Sequence, residues 1–369
     1  MLSVERIRNL AHQKMPPTQK TLFGKLFAFA IGFIIFAITA EILTRSIMPH
    51  WKDFHSGNFI TSTSVPGHAD VPIGVPRFND YFAQNNGDFR VRITINDFGL
   101  RNPEPITEAD NRTWIVGDSM TFGWGVEQQQ MYSSLVTNFS GVQTYNIASP
   151  GTNVCGYRAL LDRMPENLNP TAIVVGLVLE NDVLRYNCAS MARKSKDNTT
   201  FFQPITFIKF KRFISSHFAL YNFISVSLKR IPSIERVLIK IGLITEPHLD
   251  SQNNLESQLD FRIAITVKEL VNLKSQLPED TPVAILIIPA RFEIKDSSIY
   301  HKKLREKIIT SLNKLNITTI DPIEGFLKKG FAATHFPHDG HWNALGHKIA
   351  ATAVSKWLSA LNKNNFAIK

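Results

Sequence analysis

The segment Trp114-Ile-Val-Gly-Asp-Ser119-Met-Thr-Phe-Gly-Trp-Gly125 joins a short apolar run to a tight, glycine-rich turn. The run predicts a buried parallel strand that ends in this turn, with the Ser119 hydroxyl directed outward at the carboxyl end of the sheet. In an open α/β sheet this edge is where ligands bind. A serine there is a candidate nucleophile if a base can reach it. His341, in a histidine-rich segment near the other end of the chain, can supply that base.

From residue 112 onward, apolar runs alternate with helical patterns. The runs at 172–179 and 283–288 are almost continuously aliphatic, as expected for strands covered on both faces. Strands are predicted at 113–116, 142–148, 172–179, 283–288 and 317–320, and helices at 132–139, 154–164, 259–276, 301–315 and 344–361. This alternation predicts a three-layer α/β/α domain built on a parallel sheet.

An apolar, uncharged segment at residues 26–40 lies between Lys25 and Glu41. Extended to 22–48, it exceeds the roughly 20 residues that cross a bilayer, so it predicts a retained transmembrane anchor. A cleaved signal peptide is the alternative. Five basic residues precede the span and two follow it closely. The positive-inside rule therefore predicts a cytoplasmic tail at 1–21 and an exported remainder, periplasmic or extracellular, in a single-pass membrane protein.

The net charge of +10 is concentrated in two places. Residues 1–50 contain six Lys or Arg against two Glu, and residues 201–245 contain seven against one Glu. The rest of the chain is close to neutral. A nucleic-acid-binding domain would carry its basic residues across the main domain, together with a recognisable motif. We therefore expect no nucleic-acid partner, and a membrane partner through the N-terminal helix.

Two stretches do not fit the alternating pattern. Residues 49–111 are rich in Pro, Gly, Asn and Asp, with one clear strand at 89–95, and predict an extended lead-in that packs on the main domain, 112–369. Residues 187–258 form an aromatic and basic insertion in that domain. The favoured interpretation is a helical insertion whose apolar side packs on the main domain. An interfacial segment on an anionic leaflet, or a lid over the site, is the alternative.

The two cysteines of the chain, Cys155 and Cys188, both lie in the part predicted to be exported. An oxidising compartment permits a disulfide between them. Each follows a strand predicted to end near the site, so the two thiols can be close in space. Two buried free thiols explain the same sequence equally well.

Three candidate hydrogen-bond donors follow the first three strands of the predicted sheet. An ester-cleaving serine needs a base, and it needs preorganised donors for the oxyanion that forms. The Ser119 backbone N–H is one donor, and the glycine turn at Gly151 presents a second backbone N–H without a side chain. Asn181, after the third strand, adds a side-chain amide. Because the three strands end at the same sheet edge, we expect these three donors to lie close to one another and to His341.

Four short blocks follow one another from about residue 112 to the C-terminus: Gly117-Asp-Ser119, the turn at Gly151, Asn181-Asp182 and the segment around His341. Their order resembles the SGNH (GDSL) hydrolase family outside the insertion. The lead-in motif Asn96-Asp-Phe-Gly-Leu-Arg101 is similar to bacterial, membrane-anchored members. The resemblance implies a flavodoxin-like fold, with Ser119 as nucleophile and His341 as base. It also implies an oxyanion hole formed by Ser119, Gly151 and Asn181.

The sequence departs from the family pattern at two positions. The family places its acid three residues before the histidine, where this chain has His338, whereas Asp339 stands two before His341. An Asp-x-His spacing resembles alginate O-acetyltransferase relatives, so Asp339 is the expected acid. A backbone carbonyl that orients the imidazole is the alternative. Glu180 precedes Asn181 where many members have glycine, which predicts a narrower or more charged pocket.

The histidines near the C-terminus also invite a metal-site interpretation. The candidate ligands are His335, His338, His341, His347 and Asp339. We favour no metal and no other cofactor, because His341 cannot be both base and ligand and no Cys or Glu completes the set. Asp118 and Asp182 are expected to hold loops through backbone N–H groups.

The sequence as a whole predicts a serine esterase that hydrolyses an acyl ester through an acyl-enzyme. Acetyl is the expected acyl group, and an envelope glycan or a lipid is the expected carrier. One alternative is an O-acyltransferase that moves an acetyl group to a cell-envelope polysaccharide, with a membrane partner that donates the acyl group. The other is a non-catalytic binding module that keeps the SGNH fold.

Overall fold

The computed structural model describes residues 17–54, 58–84, 87–197, 213–229, 231, 237 and 258–367. Its strands form two antiparallel hairpins and one parallel sheet. The hairpins pair β1 (Ile60–Thr63) with β2 (Val71–Gly74) and β3 (Asn79–Ala83) with β4 (Arg90–Thr94). The parallel sheet contains β5 (Thr113–Val116), β6 (Thr144–Asn146), β7 (Ala172–Val178), β8 (Val283–Ile288) and β9 (Thr318–Ile320).

The parallel sheet has the strand order β6-β5-β7-β8-β9. Numbered from its own first strand, this is the 2-1-3-4-5 order of flavodoxin-like folds. The chain first steps from β5 to β6 on one side and then returns to β7 on the other. The resulting switch point lies between β5 and β7, where ligands of such sheets bind. The predicted fold class is therefore confirmed.

The helices alternate with these strands once the sheet has begun. Before the sheet lies α1 (Pro17–Ile47). The helices that follow are α2 (Ser119–Phe122), α3 (Tyr132–Ser140), α4 (Val154–Asp162), α5 (Cys188–Asp197), α6 (Ala219–Lys229), α7 (Leu259–Ser275), α8 (Arg291–Asp296), α9 (Ile299–Lys314), α10 (Ile323–Lys329), α11 (Phe331–Thr334) and α12 (Ala344–Ala367). The last helix extends six residues beyond the predicted range, which ended at 361.

Two apolar clusters cover the two faces of the sheet. One is formed with α4, α7 and α9, and the other with α3, α10 and α12. Alternate residues of β7 point into different clusters: Ile173, Val175 and Leu177 into the first, and Ala172, Val174 and Val178 into the second. All seven residues of β7 are buried. A fully buried aliphatic side chain contributes about 1.5–3 kcal/mol to the free energy of unfolding. This central strand therefore holds the two helical layers on opposite faces of the sheet.

The lead-in contains four strands, whereas the sequence predicted one at 89–95. The additional strands are only four or five residues long, and two of the three carry proline, glycine or asparagine, so their alternating pattern is weak. An aromatic cluster joins the hairpins to the loop after Ser119: the rings of Phe59 and Phe122 are 6.2 Å apart, and those of Phe82 and Trp124 are 4.8 Å apart. The division between lead-in and main domain at residues 111 and 112 stays a prediction.

Helix α1 includes Gly24–Ile47, which is long and apolar enough to cross a membrane, with a mean hydropathy of 2.4 over its most apolar part, none of which is buried. A single 3₁₀ turn, Trp51–Phe54, follows it almost at once. Trp51 is buried, and Asp53 accepts a 2.7 Å hydrogen bond from Arg90 of β4. The end of α1 is therefore joined directly to the lead-in.

The described parts of the insertion pack in two different places. Helix α5 lies on the main domain, where the backbone N–H of Cys188 donates to Glu269 of α7. Helix α6 instead contacts α1 and the 3₁₀ turn that follows it. The expected packing on the main domain thus holds for α5 but not for α6. Residues 198–212 and 238–257 of the insertion lie outside the described residues.

Cys155 and Cys188 form a disulfide, which decides between the two alternatives that the sequence left open. The bond joins the first turn of α4 to the first residue of α5, across 33 residues of chain. It thereby ties the beginning of the insertion to the helix that follows the Gly151 turn.

Reduction of this disulfide is expected to lower the free energy of unfolding by about 3–4 kcal/mol, because the closed loop restricts the unfolded chain. Urea unfolding of the full chain in detergent, with and without a reductant, measures the difference. A Cys155→Ala, Cys188→Ala double variant is the control, and its unfolding midpoint should be the same with and without the reductant. An unchanged midpoint in the reduced wild-type protein would contradict the expectation.

Candidate active site

The predicted site residues converge at the carboxyl edge of the sheet. Ser119 follows β5, Gly151 follows β6, Asn181 follows β7, and His341 lies three residues before α12. All four line one cavity of about 880 Å³. The order of strands along the chain therefore brings together residues that are far apart in sequence, at the switch point between β5 and β7.

Ser119 is the first residue of the short helix α2. Asp118 caps this helix by accepting a 2.9 Å hydrogen bond from the Met120 backbone N–H, which fixes the turn between β5 and α2. The Ser119 Oγ lies 2.7 Å from the Nε2 of His341. A neutral imidazole protonated on Nδ1 can accept the serine proton through this contact.

The other ring nitrogen of His341, Nδ1, contacts the carboxylate of Asp339. The same carboxylate accepts a 3.3 Å hydrogen bond from the His341 backbone N–H. Its side chain is only 5% exposed, so solvent competes little for the contact. His338, at the position where the family has its acid, instead lies 2.6 Å from Asp88. The structure thus places an acid against the imidazole at the Asp-x-His spacing.

Two lead-in residues hold the Asp339 loop. Asp88 accepts hydrogen bonds from the backbone N–H groups of His338 at 2.9 Å and of Asp339 at 2.8 Å. Gln84 donates from its amide to the second Asp339 oxygen. Sequence patterns do not reveal either residue, since neither belongs to a motif and both lie about 250 positions before their partners. The lead-in therefore forms part of the site.

The pKa of His341 is raised and that of Asp339 is lowered, as expected for an imidazole beside a carboxylate. Burial alone would lower the pKa of His341, but the Asp339 carboxylate favours the imidazolium and leaves the pKa above its ordinary value of 6.5. Burial likewise acts to raise the pKa of Asp339, and the attraction of His341 outweighs it, so that pKa is lowered. The carboxylate is thus charged at neutral pH and supports a proton on His341.

Gly151 and Asn181, the two further donors predicted from the sequence, line the same cavity as Ser119. Gly151 has a φ of +77°, a conformation that side chains disfavour, and an added Cβ would meet only Pro72 at 3.9 Å. The Asn181 amide donates one hydrogen to Asp118 over 3.4 Å. Because an amide nitrogen carries two hydrogens, this contact orients the group and leaves its second donor for a ligand in the cavity.

Asp182 is fully buried beneath these residues. It accepts hydrogen bonds from the Val178 backbone N–H at 2.6 Å and from the Tyr157 hydroxyl at 2.7 Å. Burial raises its pKa well above the ordinary value, and the nearby Asp118 carboxylate adds to the effect. Burial also raises the pKa of Asp118 to about 6. As expected from the sequence, both aspartates hold loops through backbone N–H groups.

Glu180 lines the same cavity but is paired with Arg291. Its carboxylate accepts the Arg291 backbone N–H and lies 3.0 Å from the guanidinium Nε. Arg291 in turn packs so closely on Gly340 that an added Cβ would collide with a guanidinium nitrogen. The departure from glycine at position 180 therefore adds an ion pair to the wall of the cavity instead of an isolated charge.

The remaining histidines have separate partners. The Nδ1 of His335 lies 2.8 Å from the Thr334 hydroxyl, and the Nδ1 of His347 accepts the Tyr132 backbone N–H at 3.2 Å. Burial lowers the pKa of His335 to about 4 and that of His347 to about 3, so both are neutral. Among the described residues, no group of three or more His, Cys, Asp or Glu side chains is placed to hold a metal ion.

Arg101, the last residue of the lead-in motif, is completely buried. Its guanidinium donates to the backbone carbonyls of Gly123 at 2.5 Å and Val126 at 2.7 Å, in the loop after Ser119. That loop carries Trp124, whose ring lies 5.8 Å from the imidazole of His341. The motif thus holds the loop that places Trp124 beside His341, a role that the sequence pattern did not reveal.

No protein-family model and no curated protein sequence matches this chain. Solved structures do match, and many are GDSL or SGNH hydrolases. One is a member of the lipolytic protein G-D-S-L family from Veillonella parvula, with 11% identity, coverage of 66% of this chain and 96% of that one, and a TM-score of 0.37. A GDSL-like lipase from Bacteroides thetaiotaomicron has 12% identity, coverage of 70% and 93%, and a TM-score of 0.37.

A carbohydrate esterase family 2 enzyme from Corynascus thermopiles, with its carbohydrate-binding domain, is another similar structure. It is 14% identical, and the match covers 70% of this chain and 67% of that one, with a TM-score of 0.37. The chain is thus similar in fold to a GDSL-like lipase and to a carbohydrate esterase.

His341 is expected to titrate above pH 6.5, whereas His347 should stay neutral down to about pH 3. Replacement of Asp339 by asparagine removes the negative charge and should lower the pKa of His341. Titration of the imidazole NMR signals in the full chain measures both values. An unchanged His341 pKa in Asp339→Asn would show that this carboxylate does not set it.

Proposed function

We propose that this protein is a serine ester hydrolase that forms an acyl-enzyme on Ser119. The observation that carries the proposal is the 2.7 Å contact between the Ser119 Oγ and the His341 Nε2, with Asp339 on the opposite ring nitrogen. A binding site has no need for a serine, an imidazole and a carboxylate in series. Together they match the requirements for activating a hydroxyl as a nucleophile.

In the acylation step, the Ser119 Oγ attacks the carbonyl carbon of the ester. His341 takes the hydroxyl proton on Nε2, and Asp339 stabilises the imidazolium that forms. The ester carbonyl becomes an oxyanion in the tetrahedral intermediate. When this intermediate collapses, His341 gives the proton to the leaving alcohol, and the acyl group stays on Ser119.

The oxyanion is assigned to the backbone N–H groups of Ser119 and Gly151 and to the Asn181 side chain. Each donor is neutral and held by the fold, so little reorganisation accompanies the reaction. Asp118 contributes by orienting the Asn181 amide. In the second step His341 takes a proton from a water molecule, whose oxygen attacks the acyl carbonyl carbon. When this second tetrahedral intermediate collapses, the bond to the Ser119 Oγ breaks, the acid leaves, and His341 returns the proton to the Ser119 Oγ.

The carrier of the ester is proposed to be an envelope glycan or a lipid, with acetyl as the acyl group. The cavity supports a polar carrier, since Glu180, Arg291 and Asn181 contribute to its wall. We also propose that α1 anchors the chain with its N-terminus in the cytoplasm and the site exported. The Cys155–Cys188 disulfide supports this topology, because such bonds persist in oxidising compartments.

Ser119→Ala and His341→Ala are each expected to lower kcat/KM for p-nitrophenyl acetate by about 10⁴-fold or more, because the serine and the imidazole act as one unit. Ester turnover by the full chain in detergent, together with labelling of Ser119 by a fluorophosphonate, measures the loss. Ser134→Ala, a half-buried serine on α3, is the matched control and should keep its activity.

Two outcomes would change the proposal. Turnover that both variants keep would exclude the serine mechanism. Labelling of Ser119 with slow release of acetate to water, but fast release to an added sugar acceptor, would identify an O-acyltransferase that uses the same acyl-enzyme.

The activity is expected to fall as the pH drops through the raised pKa of His341, since only the neutral imidazole acts as a base. Asp339→Asn should lower kcat by about 10²–10⁴-fold. It should also shift this acidic limb to lower pH, because the imidazole loses its neighbouring charge. A pH–rate profile of kcat/KM measures the shift, and a limb at the wild-type position would exclude Asp339 as the orienting acid.

A further inference from the structure

Helix α6 of the insertion begins on the side chain of Glu41 in α1. The Glu41 carboxylate accepts hydrogen bonds from the backbone N–H groups of Ala219 and Leu220, both at 2.9 Å. It also accepts one from Arg45 at 2.7 Å. The first N–H groups of a helix have no partner within the helix, so the carboxylate satisfies two of them. The N-terminus of α6 is thereby fixed at the level of Glu41.

Two further contacts hold α6 against the end of α1. The guanidinium of Arg45 donates to the His217 carbonyl at 2.8 Å, just before α6 begins. Asn222, which is buried, donates from its amide to the Trp51 carbonyl at 3.0 Å. One face of α6 is therefore bound to both the helix and the 3₁₀ turn that follows it.

The length of α1 sets the depth of these contacts. The apolar span Gly24–Ile47 has 24 residues. At 1.5 Å per residue it is about 36 Å long, whereas the hydrocarbon core of a bilayer is about 30 Å thick. Glu41 lies six residues, or about 9 Å, before the end of the span. An inserted span extends about 3–6 Å beyond this core at its C-terminal end, so it places Glu41, and with it the start of α6, in the acyl-chain region about 3–6 Å inside the headgroup boundary.

The same segment also exposes large apolar side chains. Phe223 is 40% and Ile224 45% exposed on α6, while Phe213 and Phe218, just before it, are 53% and 44% exposed. Four such residues lie within twelve positions, on or just before a helix that contacts α1, whose own apolar side chains are exposed. Aromatic residues are enriched at the membrane–water interface, where an amphipathic segment buries its apolar face.

We propose that residues 213–229 form a second membrane contact, resting in the leaflet on the C-terminal side of the α1 span. Phe223 and Ile224 would contact lipid acyl chains, and the polar backbone ends would face the headgroups. Phospholipid is favoured as the occupant because this segment is hydrogen-bonded to Glu41 and Arg45, which both lie within the candidate membrane span of α1. The sequence around it, residues 201–245, is also strongly basic. The proposal requires that α1 spans the membrane and is independent of the ester chemistry.

The test compares single cysteines in the full chain, reconstituted in vesicles of phosphatidylcholine and phosphatidylglycerol. Both native cysteines are in the disulfide, so a new thiol is the only one to label. Phe223→Cys probes α6, and Phe139→Cys, on the main domain at 45% exposure, is the matched control. Ile38→Cys reports the membrane span. A fluorophore on each is quenched either by spin-labelled lipid or by aqueous iodide.

The expected result is that the label at position 223 is quenched by lipid several-fold more than that at 139 and is shielded from iodide, like the label at 38. A label at 223 that behaves like the one at 139 would overturn the proposal. Protection from both quenchers would also overturn it, since a second copy or another membrane protein would then cover these apolar side chains.

The Glu41→Leu substitution tests whether Glu41 sets the depth of α6 in the membrane. Leucine keeps the span apolar but removes both acceptor oxygens, so the label at 223 should lose lipid quenching and gain iodide quenching, while the label at 38 stays unchanged. Equal quenching at 223 with and without the Glu41→Leu substitution would overturn the assignment of the depth to Glu41. Neither quenching measurement involves ester turnover, so a failure of the membrane-contact proposal can be distinguished from a failure of the esterase proposal.

Discussion

The hydrogen bond between Ser119 and His341 joins residues that are 222 positions apart, and the rest of the site serves to hold its two ends. The serine end is set by β5 and by the cap that Asp118 places on α2. The histidine end depends on Asp339, whose loop is held by Asp88 of the lead-in. A contact of 2.7 Å therefore requires the lead-in, the sheet and the last loop before α12 to be folded together.

Burial of charge accompanies this arrangement. Carboxylates removed from water are costly unless they are hydrogen-bonded or paired. Asp182 accepts a backbone N–H and a tyrosine hydroxyl through one oxygen, and its raised pKa favours the neutral acid, whereas Glu180 pairs with Arg291. Asp339 is balanced by His341, which is also the group that its charge supports. The polar residues under the sheet edge thus stabilise one another, and none except the proposed reacting groups has to change its protonation during turnover.

The sequence was sufficient for the parallel sheet and for the residues at its edge. Continuous aliphatic runs such as β8 (Val283–Ile288) give a strong local signal, and the order of strands places Ser119, Gly151 and Asn181 at one edge without any knowledge of side-chain contacts. The short strands β1 and β2 give no such signal. The partners of Asp339 and the carbonyls bound by Arg101 depend on contacts between distant segments, which periodicity does not encode. The position of α6 was missed for the same reason.

The 3₁₀ turn at Trp51–Phe54 leaves almost no free chain between α1 and the lead-in. Asp53 is bound to Arg90 of β4, in the hairpin whose aromatic residues pack beside the loop after Ser119. A domain held in this way has no flexible linker that would let it move away from the end of α1. If α1 is inserted, its search for a carrier is confined to diffusion in the plane of the bilayer. The rate at which the site meets its substrate then depends on the concentration of ester groups at one fixed distance from the membrane surface.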